Sequence, residues 1–113
     1  MSKRRDQDYL SDILEAIKRI KIYTKGMTFS QFIKNNKTQD AVVRNIEVIG
    51  EATKHLSNEF RKKHPQVPWK EMAGIRDKMI HHYFGVNYEI VWTIVKQELT
   101  LLINQVKEIS KKE

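Results

Sequence analysis

The 113-residue chain carries 21 Lys+Arg against 14 Asp+Glu, a formal net charge of +7, and no cysteine. A chain of this length suits one compact domain, and 40% hydrophobic with 31% charged residues is too apolar for a disordered chain. The missing cysteines exclude a disulfide scaffold, a thiolate zinc site, an iron–sulfur cluster and a cysteine nucleophile.

The basic balance makes anionic partners such as nucleic acid or an acidic protein plausible without selecting one. The opening Met1-Ser2-Lys3-Arg4-Arg5-Asp6 is basic but leads into an acidic amphipathic stretch, not the apolar core of a signal peptide. No segment approaches the ~20 apolar residues of a membrane span. A cytoplasmic protein without a membrane partner is the expectation.

With four glycines and two prolines, long helices are expected. The first runs from Asp6 to about Tyr23. Leu10, Ile13, Leu14, Ile17 and Ile20 form its apolar face, and Lys25-Gly26 stops it. Thr28 to Ile33 reads as a short helical turn. Thr38 is placed to cap a long second helix reaching roughly Arg61, with Ala41, Val42, Ile46, Ile49, Ala52 and Leu56 buried. Gly50 inside that helix costs ~1 kcal/mol relative to Ala, which suggests that it permits a close helix contact.

A basic break, Arg61 to Pro68, precedes a third helix carrying Trp69, Met72, Ile75 and Met79 and ending near Tyr83-Phe84-Gly85. Asn87 can cap a last helix through about Ser110, burying Val91, Ile94, Val95, Leu101, Leu102 and Val106. No period-two strand pattern is evident. The predicted fold is all-α: residues 1–113 as one antiparallel bundle of four main helices with a short extra helical turn.

Reactive side chains crowd together in Arg76-Asp77-Lys78-Met79-Ile80-His81-His82-Tyr83. Histidine suits proton transfer near neutral pH, and arginine is a permanent planar cation able to grip a phosphate and stabilise developing negative charge. Such a pair suffices for metal-free RNA cleavage, because RNA brings its own nucleophile, the 2′-hydroxyl. On an ideal helix Arg76 and Tyr83 lie within about 20° of one another, but His81 falls about 140° away and His82 about 120° the other way. Either the helix loosens before Gly85, or two copies of it build one site across a two-fold axis.

The bland alternative is an Arg76 paired with an acidic residue, two histidines at a helix end and a half-buried Tyr83. Metal binding is poorly supported, since adjacent His81 and His82 diverge and His55 and His64 lack ligand-spaced partners. Trp69, Met72 and Met79 read as core before they read as a base-stacking platform. The basic run Arg61 to His64 reads as a solvated helix end, with RNA backbone contact the alternative. Glu47 and Glu51, one turn apart, resemble a carboxylate pair but are better placed to form salt bridges or to orient Arg76 from a neighbouring helix.

Arg76, four residues, His81, one residue, Tyr83 resembles the signature of HepT-like toxins, members of the HEPN superfamily of small helical ribonucleases. The stretches Arg44-Asn45-Ile46-Glu47-Val48-Ile49-Gly50-Glu51-Ala52 and Val67-Pro68-Trp69-Lys70-Glu71-Met72-Ala73-Gly74-Ile75-Arg76-Asp77 resemble that family in order and spacing. The resemblance implies the toxin of a type VII-like toxin–antitoxin pair, a homodimer cutting RNA without metal or other cofactor in a cleft between protomers. It assigns catalysis to Arg76 and His81, with Asp77 supporting where the family more often has Asn. It further implies an MntA-type minimal nucleotidyltransferase antitoxin that adenylylates Tyr83. His82 remains an alternative to His81, because the broader pattern tolerates other spacings. The runner-up is a non-catalytic HEPN module serving a nucleotidyltransferase. A helix-turn-helix DNA binder is not supported by the long apolar helices.

Overall fold

A computed structural model describes residues 3–81 and 85–112, the side chain of His81 excepted. Helix α1 spans Asp6–Thr24, with Asp6 and Asp8 in its first turn, where a carboxylate complements the helix dipole. The Asp8 carboxylate also accepts the Arg5 backbone N–H at 2.8 Å. Gly26, at φ +70°, turns the chain. A short α2, Phe29–Ile33, follows, opened by a reciprocal Thr28–Gln31 capping box.

The second long helix, α3, spans Asn36–His55. Its cap is Asn35, whose side-chain oxygen accepts the Thr38 N–H at 3.0 Å, rather than Thr38 itself. It also stops short of Arg61. Leu56 takes an extended conformation, and Ser57 caps a separate α4, Asn58–Lys63, by accepting the Phe60 N–H. The Asp6 carboxylate accepts both the N–H and the hydroxyl of Ser57, at 2.8 and 2.7 Å. The start of α1 therefore meets the end of α3, and the two helices run antiparallel.

The predicted third helix is broken twice. It begins as α5, Trp69–Ala73, pauses at Gly74, and continues as α6 only over Ile75–Met79. The chain then extends as β1, Ile80–His81, which pairs antiparallel with β2, Gly85–Val86, in the register Ile80↔Val86 and His81↔Gly85. Gly85 is at φ +77°, and the Asn87 N–H donates to the Met79 carbonyl at 2.8 Å, closing the base of this two-residue ribbon. Trp69, Met72, Ile75 and Met79 are nevertheless all buried, as their spacing predicts.

Asn87 caps α7, Tyr88–Thr93, by accepting the Glu89 and Ile90 N–H groups. The helix continues through a π-helical turn, Ile94–Glu98, into α8, Leu99–Lys112. A π turn takes in one extra residue, about 100° of rotation, and resets the buried face. Leu99 and Ile103 join the core, and Leu101, expected inside, is 65% exposed. The core is one cluster in which Ile13, Ile17, Ile20, Val42, Ile46, Ile49, Val91 and Val106 are fully enclosed. The fold is all-α. Among the described residues no helix is long and apolar enough to cross a membrane.

Candidate active site

The geometry around Arg76 starts from Gly50. A Cβ at that position would lie 3.2 Å from Ile75 Cγ2 and 3.5 Å from the Met72 carbonyl oxygen, so the α5–α6 corner rests almost directly on α3. Ile75 is buried there, and the next residue projects outward beside α3. Arg76 Nε stands 3.4 Å from Glu47 Oε2, one turn before Gly50. The Arg76 side chain is 58% exposed and that of Glu47 is 34% exposed. Glu51 turns instead to Lys54, at 3.3 Å. The two glutamates thus form separate ion pairs, and one of them holds Arg76.

Asp77 is exposed and makes no ion pair among the described residues. Lys78 reaches the π turn, its Nζ 2.7 Å from Glu98 Oε2. Nothing in the sequence pointed to that pair, because its members stand 20 residues apart and meet only where the π turn rotates Glu98 outward.

The backbone of His81 lies in β1, beyond the end of α6. The ideal-helix angle drawn between Arg76 and His81 therefore does not apply, since the helix stops at Met79 and Ile80 is extended. Of the two ways to relieve the angular conflict, the loosened helix is the one observed. His82, Tyr83 and Phe84 fall outside the described residues, and so do the predicted placement of Tyr83 and the comparison of His82 with His81.

The other histidines have separate roles. His64 is buried against Phe60, with ring centroids 4.8 Å apart, and its carbonyl accepts the Trp69 indole N–H at 2.8 Å. His55 stacks on Tyr9 at 5.0 Å. Trp69, Met72 and Met79 are core, not a surface platform. Arg61 donates to the Thr53 carbonyl at 2.6 Å and so helps close the end of α3. Among the described residues no three His, Asp or Glu side chains converge as a metal site requires. An apolar cavity of about 360 Å³ lies beside the motif helix, lined among others by Met72, Ile75, Leu99, Leu101 and Leu102, but Arg76 does not face it.

Residues 13–109 match the model of the family described as "Ribonuclease HepT-like". A protein of Methanocaldococcus jannaschii named as a candidate RNase is 53% identical over 111 residues, 98% of this chain and 92% of that protein. The "Probable ribonuclease HepT" of Thermococcus cleftensis is 45% identical over 96% of this chain and 99% of its own length. A candidate RNase of Caldanaerobacter subterraneus is 50% identical over 93% of this chain and 94% of its own. No solved structure matches. The chain is a small helical protein of the ribonuclease type. It belongs to the HepT-like ribonuclease family.

Proposed function

We propose that the chain is a metal-independent RNA endonuclease in which Arg76 and His81 act on the scissile phosphate, with Asp77 supporting them. The observation that carries this reading is Arg76 itself. A permanent cation stands more than half exposed on the motif helix and is held from one side by Glu47, and the chain belongs to a family of ribonucleases. A surface pair is ordinarily worth ~0–1 kcal/mol, so this arginine remains available to a phosphate.

In the proposed step His81 takes the proton from the ribose 2′-hydroxyl as the 2′-oxygen attacks phosphorus. Arg76 stabilises the extra charge on the phosphorane oxygens. The bond from phosphorus to the 5′-oxygen then breaks, that oxygen takes a proton from water, and His81 gives the proton it accepted back to solvent. The products are a 2′,3′-cyclic phosphate and a 5′-hydroxyl. No external nucleophile or metal is consumed.

The proposal extends to the assembly and its control. The protein acts as a toxin in a homodimer that places the motif segments of both protomers at one cleft, in the cytoplasm. With the helix ending at Met79, the angular mismatch no longer supports the dimer; the family resemblance does. An MntA-type minimal nucleotidyltransferase is the proposed antitoxin. It transfers AMP from ATP to the Tyr83 hydroxyl and releases pyrophosphate. The test of the central reading is cleavage of single-stranded RNA by the purified chain in EDTA. A cyclic phosphate end is expected; no cleavage at any protein concentration would leave the non-catalytic module as the better description.

A further inference from the structure

We propose that Glu47 is a positioning residue for RNA cleavage, engaging Arg76 from its Nε side so that terminal N–H donors of the guanidinium face the scissile phosphate. The inference rests on the reading of Arg76 as the phosphate-binding arginine, and it assigns a function to a residue of a different helix.

Three observations carry it. The first is which edge of the fork is used. Glu47 Oε2 stands 3.4 Å from Nε, and a guanidinium engaged from that side still has terminal N–H donors to offer a phosphate. The second is the contrast between the two supports. Arg76 sits on a five-residue helix bounded by Gly74 and by the extended Ile80, whereas Glu47 sits in the interior of the 20-residue α3. A long, freely rotating side chain on a short helix gains its orientation from the sturdier element.

The third observation is the packing that sets the pair. Gly50 admits Ile75 to the surface of α3, which brings Arg76 level with the turn that carries Glu47. Glu51, on the next turn of the same helix, is engaged by Lys54 and leaves Arg76 to Glu47. Among the described residues no other carboxylate pairs with Arg76.

Positioning and simple charge make opposite predictions. Glu47 is an anion beside the place where an RNA phosphate must bind. Removing its charge should by Coulomb's law alone tighten RNA binding and speed cleavage. If Glu47 positions Arg76, the loss of alignment should lower kcat even as KM stays level or falls, since misplacing a catalytic group slows the chemical step.

The experiment measures steady-state cleavage of a short fluorogenic single-stranded RNA by wild type, Glu47→Gln, Glu47→Asp and Arg76→Ala. Each is assayed at a temperature where circular dichroism shows it folded. Glu47→Gln should lower kcat about 2- to 5-fold with KM unchanged or reduced, the most that a surface pair can contribute to orienting Arg76, and Glu47→Asp, which keeps the charge, should recover part of the loss. The shape of the pH–rate profile should not change. An unchanged or raised kcat in Glu47→Gln overturns the inference while leaving Arg76 catalysis standing. Loss of one limb of the pH profile also overturns it, because Glu47 would then transfer a proton itself. Full activity in Arg76→Ala would instead overturn the proposed function.

Discussion

Ile75 Cγ2 lies 3.2 Å from where a Cβ on residue 50 would be, so Gly50 leaves Ile75 room against α3 that a side chain there would take. Two effects oppose each other at this glycine. Alanine gains about 1 kcal/mol of helix propensity but presses on Ile75, whose methyl must give by a few tenths of an ångström. Gly50→Ala should therefore fall within about 1 kcal/mol of wild type. Gly50→Val adds methyls toward the Met72 and Ala73 carbonyls and should cost at least about 1–3 kcal/mol. Urea denaturation measures both; a Gly50→Val protein as stable as wild type would show that the contact is slack.

Loss of either catalytic side chain should cost at least ~100-fold in cleavage rate, if His81 moves the proton and Arg76 stabilises the phosphorane. Arg76→Ala should stay folded, because Arg76 is exposed and its one ion pair among the described residues lies at the surface. Rates of RNA cleavage in EDTA, with end-group analysis of the products, check the assignment. If His81→Ala cuts as fast as wild type and His82→Ala does not, the histidine is His82. If chelation abolishes activity, the metal-free mechanism fails.

Gly85 holds φ +77° between the motif and Asn87, a conformation that costs an L-residue about 1–2 kcal/mol. Gly85→Ala meets no atom within 4 Å, so its penalty is conformational and not steric. The expected result is a modest loss of stability with a larger loss of activity, because Gly85 is the direct pairing partner of His81. Thermal melts and cleavage rates on the same preparation separate the two. Equal activity at unchanged melting temperature would show that the ribbon does not set the histidine.

These residues also show how far the sequence could be read. The apolar faces of the long helices were legible because a 3.6-residue period survives whatever the loops do: Ile13, Ile17, Ile46 and Ile49 are all buried. Gly50 was legible as a contact for a related reason, since a glycine in an otherwise good helix needs a neighbour to explain it. The breaks were legible only at the motif, where the angular conflict between Arg76 and His81 pointed to a helix loosening before Gly85. Ser57 looks like helix interior until Asp6, 51 residues away, takes its hydroxyl. Met79 continues the apolar spacing past Arg76 although Ile80 is already extended, because the same residues stay buried in a broken helix. Leu101 was misplaced for a third reason. A π turn shifts the phase of a helix without leaving a glycine or proline to mark it. At the site, the ion pair of Arg76 with Glu47 is the salt bridge expected of a carboxylate on a neighbouring helix, and Lys78 with Glu98 had no local signal.

A shared cleft predicts complementation between subunits. If each site combines groups from two protomers, mixing inactive Arg76→Ala with inactive His81→Ala should restore a fraction of wild-type activity, since a heterodimer can contain one intact combination. If each protomer holds a complete site, the mixture should stay inactive. Sedimentation at micromolar concentration tests the dimer directly. A monomer with full activity would refute the assembly.

The control proposed at Tyr83 depends on charge. A phenol at the motif can help hold RNA by hydrogen bonding or stacking. Attachment of AMP replaces it with a bulky anion that competes with the substrate for the cations of the motif helix. Arg76 is more than half exposed beside Glu47, and Lys78 lies two residues on, engaged with Glu98 through an exposed pair that a stronger anion can displace. The modification therefore acts by occupying the phosphate site without any need to unfold the domain. Incubation with a minimal nucleotidyltransferase and ATP, followed by peptide mass spectrometry, should place an adenylyl mass on Tyr83 and abolish cleavage. Tyr83→Phe should escape that inhibition while keeping Arg76 and His81 intact. High salt, which screens exposed charge pairs, should weaken RNA binding but not reverse the covalent block. Modification confined to Tyr9, Tyr23 or Tyr88, or full activity after Tyr83 is adenylylated, would exclude this mode of control.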